Sequence, residues 1–352
     1  MVSSVLNNPG FHRQVQAGDE NVELVWNKGI AALCDRRIPD EFPDGRSYSP
    51  VGTLAGALAS RRLPGNLISD PAAYRDVRDG EVVWVRLSWL RSFAKQVLPH
   101  VKARFVLVTG DSDSCVPSEL RAEAETILNS PNVLHWFTQN YDGSADTEKI
   151  SPVPIGIDFH LLSERPIWGE TCASPGQQEQ ALKSIARGLA PVASRTPKVY
   201  VDFAWQQRLG IFDYRTYHPL QGTRLRQSRR WLTKRLRANE AVHCQDGPMP
   251  RSEMWRRRGE FAFVLSPPGN GLDCHRTWEA LALGHIVLVP SSSLDRLYSE
   301  LPVILLHRWD EITPENLGNW LSLYKYRPGP AEKLTSAYWV NEMRMHSRPA
   351  PE

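Results

Sequence analysis

The chain reads Ser266-Pro267-Pro268-Gly269-Asn270-Gly271-Leu272-Asp273-Cys274-His275-Arg276-Thr277-Trp278-Glu279 over one continuous stretch, and these residue types suit a phosphorylated ligand. Glycine tolerates positive φ and leaves no Cβ in the way, so Gly269 and Gly271 allow backbone to approach a ligand closely. Asn270 or Asp273 could cap a following helix, whose free N–H groups and positive dipole end favour an anion, most simply a phosphate. Arg276 falls in the first helical turn and Glu279 three residues on, so the two share a face. One cation for a diphosphate and one carboxylate for ribose hydroxyls is the functional reading; a helix-surface ion pair is the structural one. The loop matches neither the P-loop, which ends in Gly-Lys-Ser/Thr, nor G-x-G-x-x-G, because position 274 is Cys.

These residues need elements to hold them. Phe261 to Leu265 and Ile286 to Val289 are short apolar runs that predict buried strands, with a helix-length segment between them. That is a βαβ unit. Such units build parallel sheets with right-handed crossovers, and ligands sit outside the carboxyl ends of the strands.

A second set of chemical residues precedes it. Arg104 to Gly110 predicts a buried strand opening into Asp111-Ser112-Asp113-Ser114, and Asn132 to Phe137 another opening into Thr138 to Gly143. Glu81 to Arg86 and Val153 to Asp158 predict further strands, with helices at Leu90 to Val97 and Glu119 to Asn129. Alternation of strand and helix predicts a Rossmann-like sheet whose rim carries Asp111 and Asn140. Asp111, Asp113, Asp142 and His160 are candidate proton acceptors there, the Asp111 to Asp113 loop first; each could equally be a turn or cap residue. Asp111-Ser112-Asp113 also has the Asp-x-Asp spacing of a metal site, discounted here because it lies far in sequence from the phosphate loop.

After Ser163 a Pro-, Gly-, Gln- and Ser-rich stretch reads as a connector, with a helix near Glu179 to Gly188. Lys198 to Phe203, Val242 to Cys244 and the signature strands then predict a second sheet, with helices at Arg224 to Ala238, Ser252 to Arg258, Glu315 to Tyr324 and Glu332 to Met343. The expectation is α/β with two facing Rossmann-like domains and a cleft between them, divided at 1–185 and 186–352. Arg208 follows the first strand of the second sheet, on the rim where a diphosphate would lie.

The segment Arg276-Thr277-Trp278-Glu279-Ala280-Leu281, followed by Gly284-His285-Ile286-Val287-Leu288 and Leu301-Pro302, resembles the carboxyl-terminal half of exostosin-like glycosyltransferases. About fifty residues carry the resemblance. Pro268 stands where many relatives have Arg, and Val303 where Phe is usual. The resemblance implies the GT-B arrangement of the two domains and inverting transfer from a nucleotide-diphosphate sugar to a glycan hydroxyl, as in polysaccharide biosynthesis, with Glu279 on the ribose. Expected donor-side residues are Arg208, Ser266, Gly269, Asn270, Gly271, Arg276 and Glu279; expected catalytic residues are Asp111, Asp113 and Arg276. A GT-B nucleotide-sugar epimerase and a non-catalytic sugar-binding subunit are the rival readings.

Bulk properties agree with an ordinary globular chain: 352 residues, 41% hydrophobic and 23% charged. A net charge of +3 does not call for nucleic acid. The basic helix at 224–238 has an apolar face in Leu225, Trp231, Leu232 and Leu236, so its arginines read as a solvated face. Five scattered cysteines without a C-x-x-C pair indicate neither a disulfide framework nor zinc, and fit a reducing compartment. No apolar run suits a signal peptide or membrane span, so a cytoplasmic protein is expected. A helix N-terminus and Arg side chains can neutralise a leaving diphosphate, so neither cofactor nor metal is expected.

Overall fold

Apolar runs bounded by polar loops become two parallel sheets. The computed structural model describes residues 22–37, 74–145, 147–203, 229–324 and 331–347. Strands β1 (Arg36–Arg37), β2 (Val82–Arg86), β3 (Phe105–Gly110), β4 (Val133–Thr138) and β5 (Ile150–Pro152) lie side by side in chain order, all parallel. Strands β6 (Thr196–Val201), β7 (Val242–Cys244), β8 (Phe261–Leu265), β9 (Ile286–Pro290) and β10 (Val303–Leu306) form the second parallel sheet in the order β10-β9-β8-β6-β7. Every residue of β2, β3 and β8 is buried, as expected of strands covered on both faces.

Helices α1 (Asn27–Leu33), α2 (Arg121–Asn129), α3 (His160–Glu164) and α4 (Pro175–Gly188) belong to the first half of the chain. Helices α5 (Arg229–Arg237), α6 (Arg251–Arg258), α7 (His275–Ala282), α8 (Pro314–Tyr324) and α9 (Ser336–Met345) belong to the second. The α4 start is set by chemistry the sequence displays: Ser174 and Gln177 form a reciprocal capping box, and Pro175 occupies the first turn, where a missing N–H costs nothing. Two Rossmann-like units facing across a cleft make the GT-B layout. No helix among the described residues is long and apolar enough to cross a membrane.

The two units are tied together. Helix α4 packs on α6 and α7, while α9 returns to pack on α1, where Val25 N donates to Leu334 O and Ser336 N to Glu23 O. Gly271 is buried against the first unit, and a Cβ there would stand 2.5 Å from Asn140 Nδ2. Glycine is required at this position by a contact between domains.

Two expectations shift. The strand expected at Val153 to Asp158 lies earlier, as β5; at Gly156 the backbone takes φ +69° instead, and a Cβ would meet Val25 O at 2.2 Å. Helix α1 and strand β1, for which no element is expected from the sequence, join the first unit, where β2 lies within the expected Glu81 to Arg86. Arg208 and residues 224–228 lie outside the described residues.

Candidate functional site

Two pockets open between the carboxyl ends of the sheets. The first, of ≈ 630 Å³, is lined by Asp158, Asp202, Arg251, Arg258, His275, Arg276 and Glu279 together with the apolar Trp168, Met249, Pro250 and Met254. The second, of ≈ 620 Å³, is lined by Lys28, Arg86, Asp111, Asp113, Glu119 and His160 with Ser88, Ser112 and Ser114. Asn270 lines both. The tip of the Gly-Asn-Gly loop is therefore where they adjoin.

The first pocket is built on a buried chain of alternating charge. Arg276 Nε donates to Asp202 Oδ1 at 2.6 Å, Arg258 Nε to Asp202 Oδ2 at 3.1 Å, Arg258 Nη1 to Glu279 Oε2 at 3.3 Å, and Arg251 Nη2 to Glu279 Oε1 at 2.8 Å. Arg251 also lies 4.7 Å from the Trp168 ring and 4.6 Å from the Trp255 ring, and donates to Gln178 Oε1 and Asp158 O. Burial alone would raise the pKa of Asp202 and Glu279, but the facing guanidiniums outweigh it and hold both carboxyls below their ordinary range. Three guanidiniums, of Arg251, Arg258 and Arg276, line this pocket with three carboxylates, of Asp158, Asp202 and Glu279.

Arg276 and Glu279 both reach this pocket, as their shared face predicts, but they do not pair with each other. Glu279 is 6% exposed and its oxygens are engaged by Arg251 and Arg258, so its presence positions two cations. Within the loop, Asn270 faces the pocket; Ser266 is buried with its hydroxyl accepting from Thr277 Oγ1 at 2.9 Å, and Gly269 N donates to Gly271 O. The helix cap also differs from expectation. Cys274 is the α7 N-cap, and Asp273, one residue earlier, accepts from Cys274 N, Ile155 N, Trp278 Nε1 and Tyr298 OH. Burial raises the Asp273 pKa even so. Asp273 thus joins the domains and locks Trp278, which is fully buried.

In the second pocket the first-choice proton acceptor is displaced by its surroundings. Asp111 leaves β3 at φ +60°, a left-handed conformation that Asp tolerates, and its Oδ2 meets Lys28 Nζ at 2.9 Å and Arg86 Nη2 at 2.8 Å. Burial would raise its pKa, yet Lys28 and Arg86 pull it far below the carboxylate range. A carboxylate so stabilised as an anion is a poor base. Asp142 is buried and accepts from Ser118 N and Ser144 N, the cap role weighed for it. Asp113 is exposed on the rim, 3.4 Å from Asn270 Nδ2. His160 faces the pocket with Asp158 behind it, Nδ1 to Oδ1 3.0 Å.

Asp158, Asp202, Arg251, Arg258 and His275 were not singled out by sequence. Arg251, Trp255 and Arg258 are buried while Arg256 and Arg257 are exposed, a one-face pattern that i, i+4, i+7 spacing would have isolated. Asp202 follows β6 directly, the position at which β3 gives Asp111.

No protein-family model matches the chain, and no curated protein does. Among solved structures it is similar to the E. coli trehalose-6-phosphate structure bound with UDP-2-fluoro glucose, at 11% identity over 84% of this chain and 78% of that one, TM-score 0.38. It is likewise similar to a UDP-forming α,α-trehalose-phosphate synthase from Burkholderia xenovorans (11% identity, 87% and 78% covered, TM-score 0.35). The apo structure of OtsA gives 10% identity, 84% and 78% covered, TM-score 0.40.

Proposed function

We propose that the protein is a glycosyltransferase that moves a sugar from a nucleoside-diphosphate sugar in the guanidinium-lined pocket to an acceptor hydroxyl in the polar pocket. The single observation that carries this reading is the meeting of two chemically different pockets at Asn270. Guanidiniums with apolar and aromatic side chains among them suit a diphosphate attached to a nucleoside, and a wall of hydroxyls and charges suits a glycan. Residues 186–352 then form the donor domain and 1–185 the acceptor domain.

In this reading Arg276, 12% exposed and at the start of α7, meets the negative charge that develops on the leaving diphosphate, aided by Arg251 and Arg258 behind it. Glu279 keeps those two guanidiniums in place. Asn270 and Asp113 orient the reacting groups where the pockets adjoin. The exostosin-like order around Arg276 supports inverting chemistry on a glycan acceptor. An adjoining second pocket favours transfer over the epimerase reading, which needs none.

The test is thermal stabilisation by a panel of UDP, GDP, ADP and dTDP, with the free nucleosides as controls. A ligand that binds only the folded state raises the melting temperature by mass action. At least one diphosphate should do so and its nucleoside much less. No shift with any diphosphate contradicts the proposal.

A further inference from the structure

We propose that His160, oriented by Asp158, is the general base that takes the proton from the acceptor hydroxyl. This rests on the glycosyl-transfer reading above and names the residue of that site which performs the proton transfer.

The geometry around Asp158 is tightly determined. Asp158 is 3% exposed; its Oδ1 accepts from Leu161 N at 3.1 Å, which fixes the start of α3 beside His160. Its backbone oxygen accepts from Arg251 Nη2 at 2.7 Å, and its Oδ2 faces His275 Nε2 at 3.9 Å, a ring whose Nδ1 is held by Gly156 O at 2.7 Å. The same residue therefore touches the donor-pocket arginine and the acceptor-pocket histidine. Against this fixed carboxylate His160 buries Nδ1 3.0 Å from Asp158 Oδ1, close enough for an ion pair but off the line of a hydrogen bond, while its side chain remains 16% exposed in the polar pocket. The negative charge beside Nδ1 favours the proton there and leaves the Nε2 lone pair for a ligand.

The transfer balances as follows. The acceptor O–H bond breaks and its proton passes to Nε2, the acceptor oxygen bonds the anomeric carbon, and the bond to the diphosphate oxygen breaks with its electron pair. The leaving charge falls toward Arg276, and the imidazolium left behind faces two carboxylates, Asp158 and Asp111. Charged or titratable neighbours of His160 are Asp158, Asp111, Lys28 and His275. Burial pushes the His160 imidazole down, but Asp158 and Asp111 outweigh both burial and Lys28, so its pKa is raised. The competing groups are less suited: Asp111 is held as an anion by two cations, and both Asp142 oxygens serve backbone N–H groups.

The experiment measures nucleoside-diphosphate release from UDP-, GDP-, ADP- and dTDP-glucose, with calorimetric affinity for the matching diphosphate, in wild type, His160→Gln, His160→Asn, Asp158→Asn and Asp113→Asn. Both His160 variants should lose about 100-fold or more in turnover, with affinity within about twofold of wild type. Asp158→Asn should lower the plateau rate and move the acid limb of the pH profile to lower pH, because the carboxylate that raises the His160 pKa is gone; a merely structural Asp158 would leave that limb in place. Asp113→Asn should keep a turnover at least about tenfold above that of His160→Gln. Intact affinity with wild-type turnover in both His160 variants overturns the base while sparing the donor reading. Absence of diphosphate binding by wild type overturns both.

Discussion

Asp202 and Glu279, on different elements of the second domain, are held together by one guanidinium: Arg258 donates to both, at 3.1 Å and 3.3 Å, and is itself 1% exposed. The link makes the end of β6 and the helix α7 parts of one electrostatic unit, with Arg276 on one end and Arg251 on the other. Buried ions of this kind are costly to leave without a partner, so the unit is most sensitive where a residue has a single counterion.

Glu279→Ala therefore removes the carboxylate paired with Arg251 and one of the two paired with Arg258. Loss of one partner from a buried pair costs about 3–5 kcal/mol, more than a surface carboxylate would. Urea denaturation should show a destabilisation of that size, with a smaller loss for Glu279→Gln. A stability unchanged by Glu279→Ala would mean that the carboxylate serves the ligand alone.

Arg276→Ala leaves Asp202 still bonded to Arg258, so the fold should survive. Interactions stronger in the transition state than in the ground state act on turnover, and losing one such donor costs about 100-fold. Turnover should fall more than donor affinity. A raised KM with unchanged kcat would assign Arg276 to binding only.

The signature strand-loop-helix-strand was legible because its apolar runs are short, bounded by Gly and Pro, and separated by one helix length; β8, α7 and β9 lie where those signals place them. What the loop residues do was less legible. Gly271 reads from sequence as a ligand-facing glycine, yet the atom that crowds it belongs to Asn140 of the other domain, a contact no local pattern encodes. Arg251 and Arg258 were hidden among neighbouring arginines, since charge alone does not distinguish a buried guanidinium from an exposed one. Asp111 shows the converse: its place on the rim was legible, but its proton affinity is set by Lys28 and Arg86, which come from distant segments.

Gly271→Ala tests the contact between domains. A methyl 2.5 Å from Asn140 Nδ2 forces the loop or the amide to move, and overpacking of this kind costs about 1–3 kcal/mol. The melting temperature should fall even without ligand. Weakened nucleotide binding at an unchanged melting temperature would return Gly271 to a purely ligand-facing role.

His135, on β4, gives a pH dependence of stability. Burial, with His346 and Arg296 nearby, lowers its pKa to about 3, while the unfolded value is near 6.5. Above 6.5 both states are neutral at this site and its contribution is constant. As pH falls from 6.5 toward 3, the unfolded chain takes up the proton and the folded one does not, so stability drops by up to about 1.4 kcal/mol per pH unit. Chemical denaturation at pH 7, 5.5 and 4.5 should show the decline, and His135→Gln should flatten it. Equal slopes in the two proteins would place the acid sensitivity elsewhere.

The central claim, that the arginine pocket holds a sugar donor whose diphosphate leaves toward Arg276, is tested most directly by single-turnover release of nucleoside diphosphate from a sugar nucleotide that stabilises the protein. Wild type should release it, faster in the presence of an oligosaccharide acceptor, and Arg276→Ala should bind the same nucleotide but release about 100-fold more slowly. Release by Arg276→Ala at the wild-type rate, or a bound sugar nucleotide that stays intact with every acceptor, would contradict it.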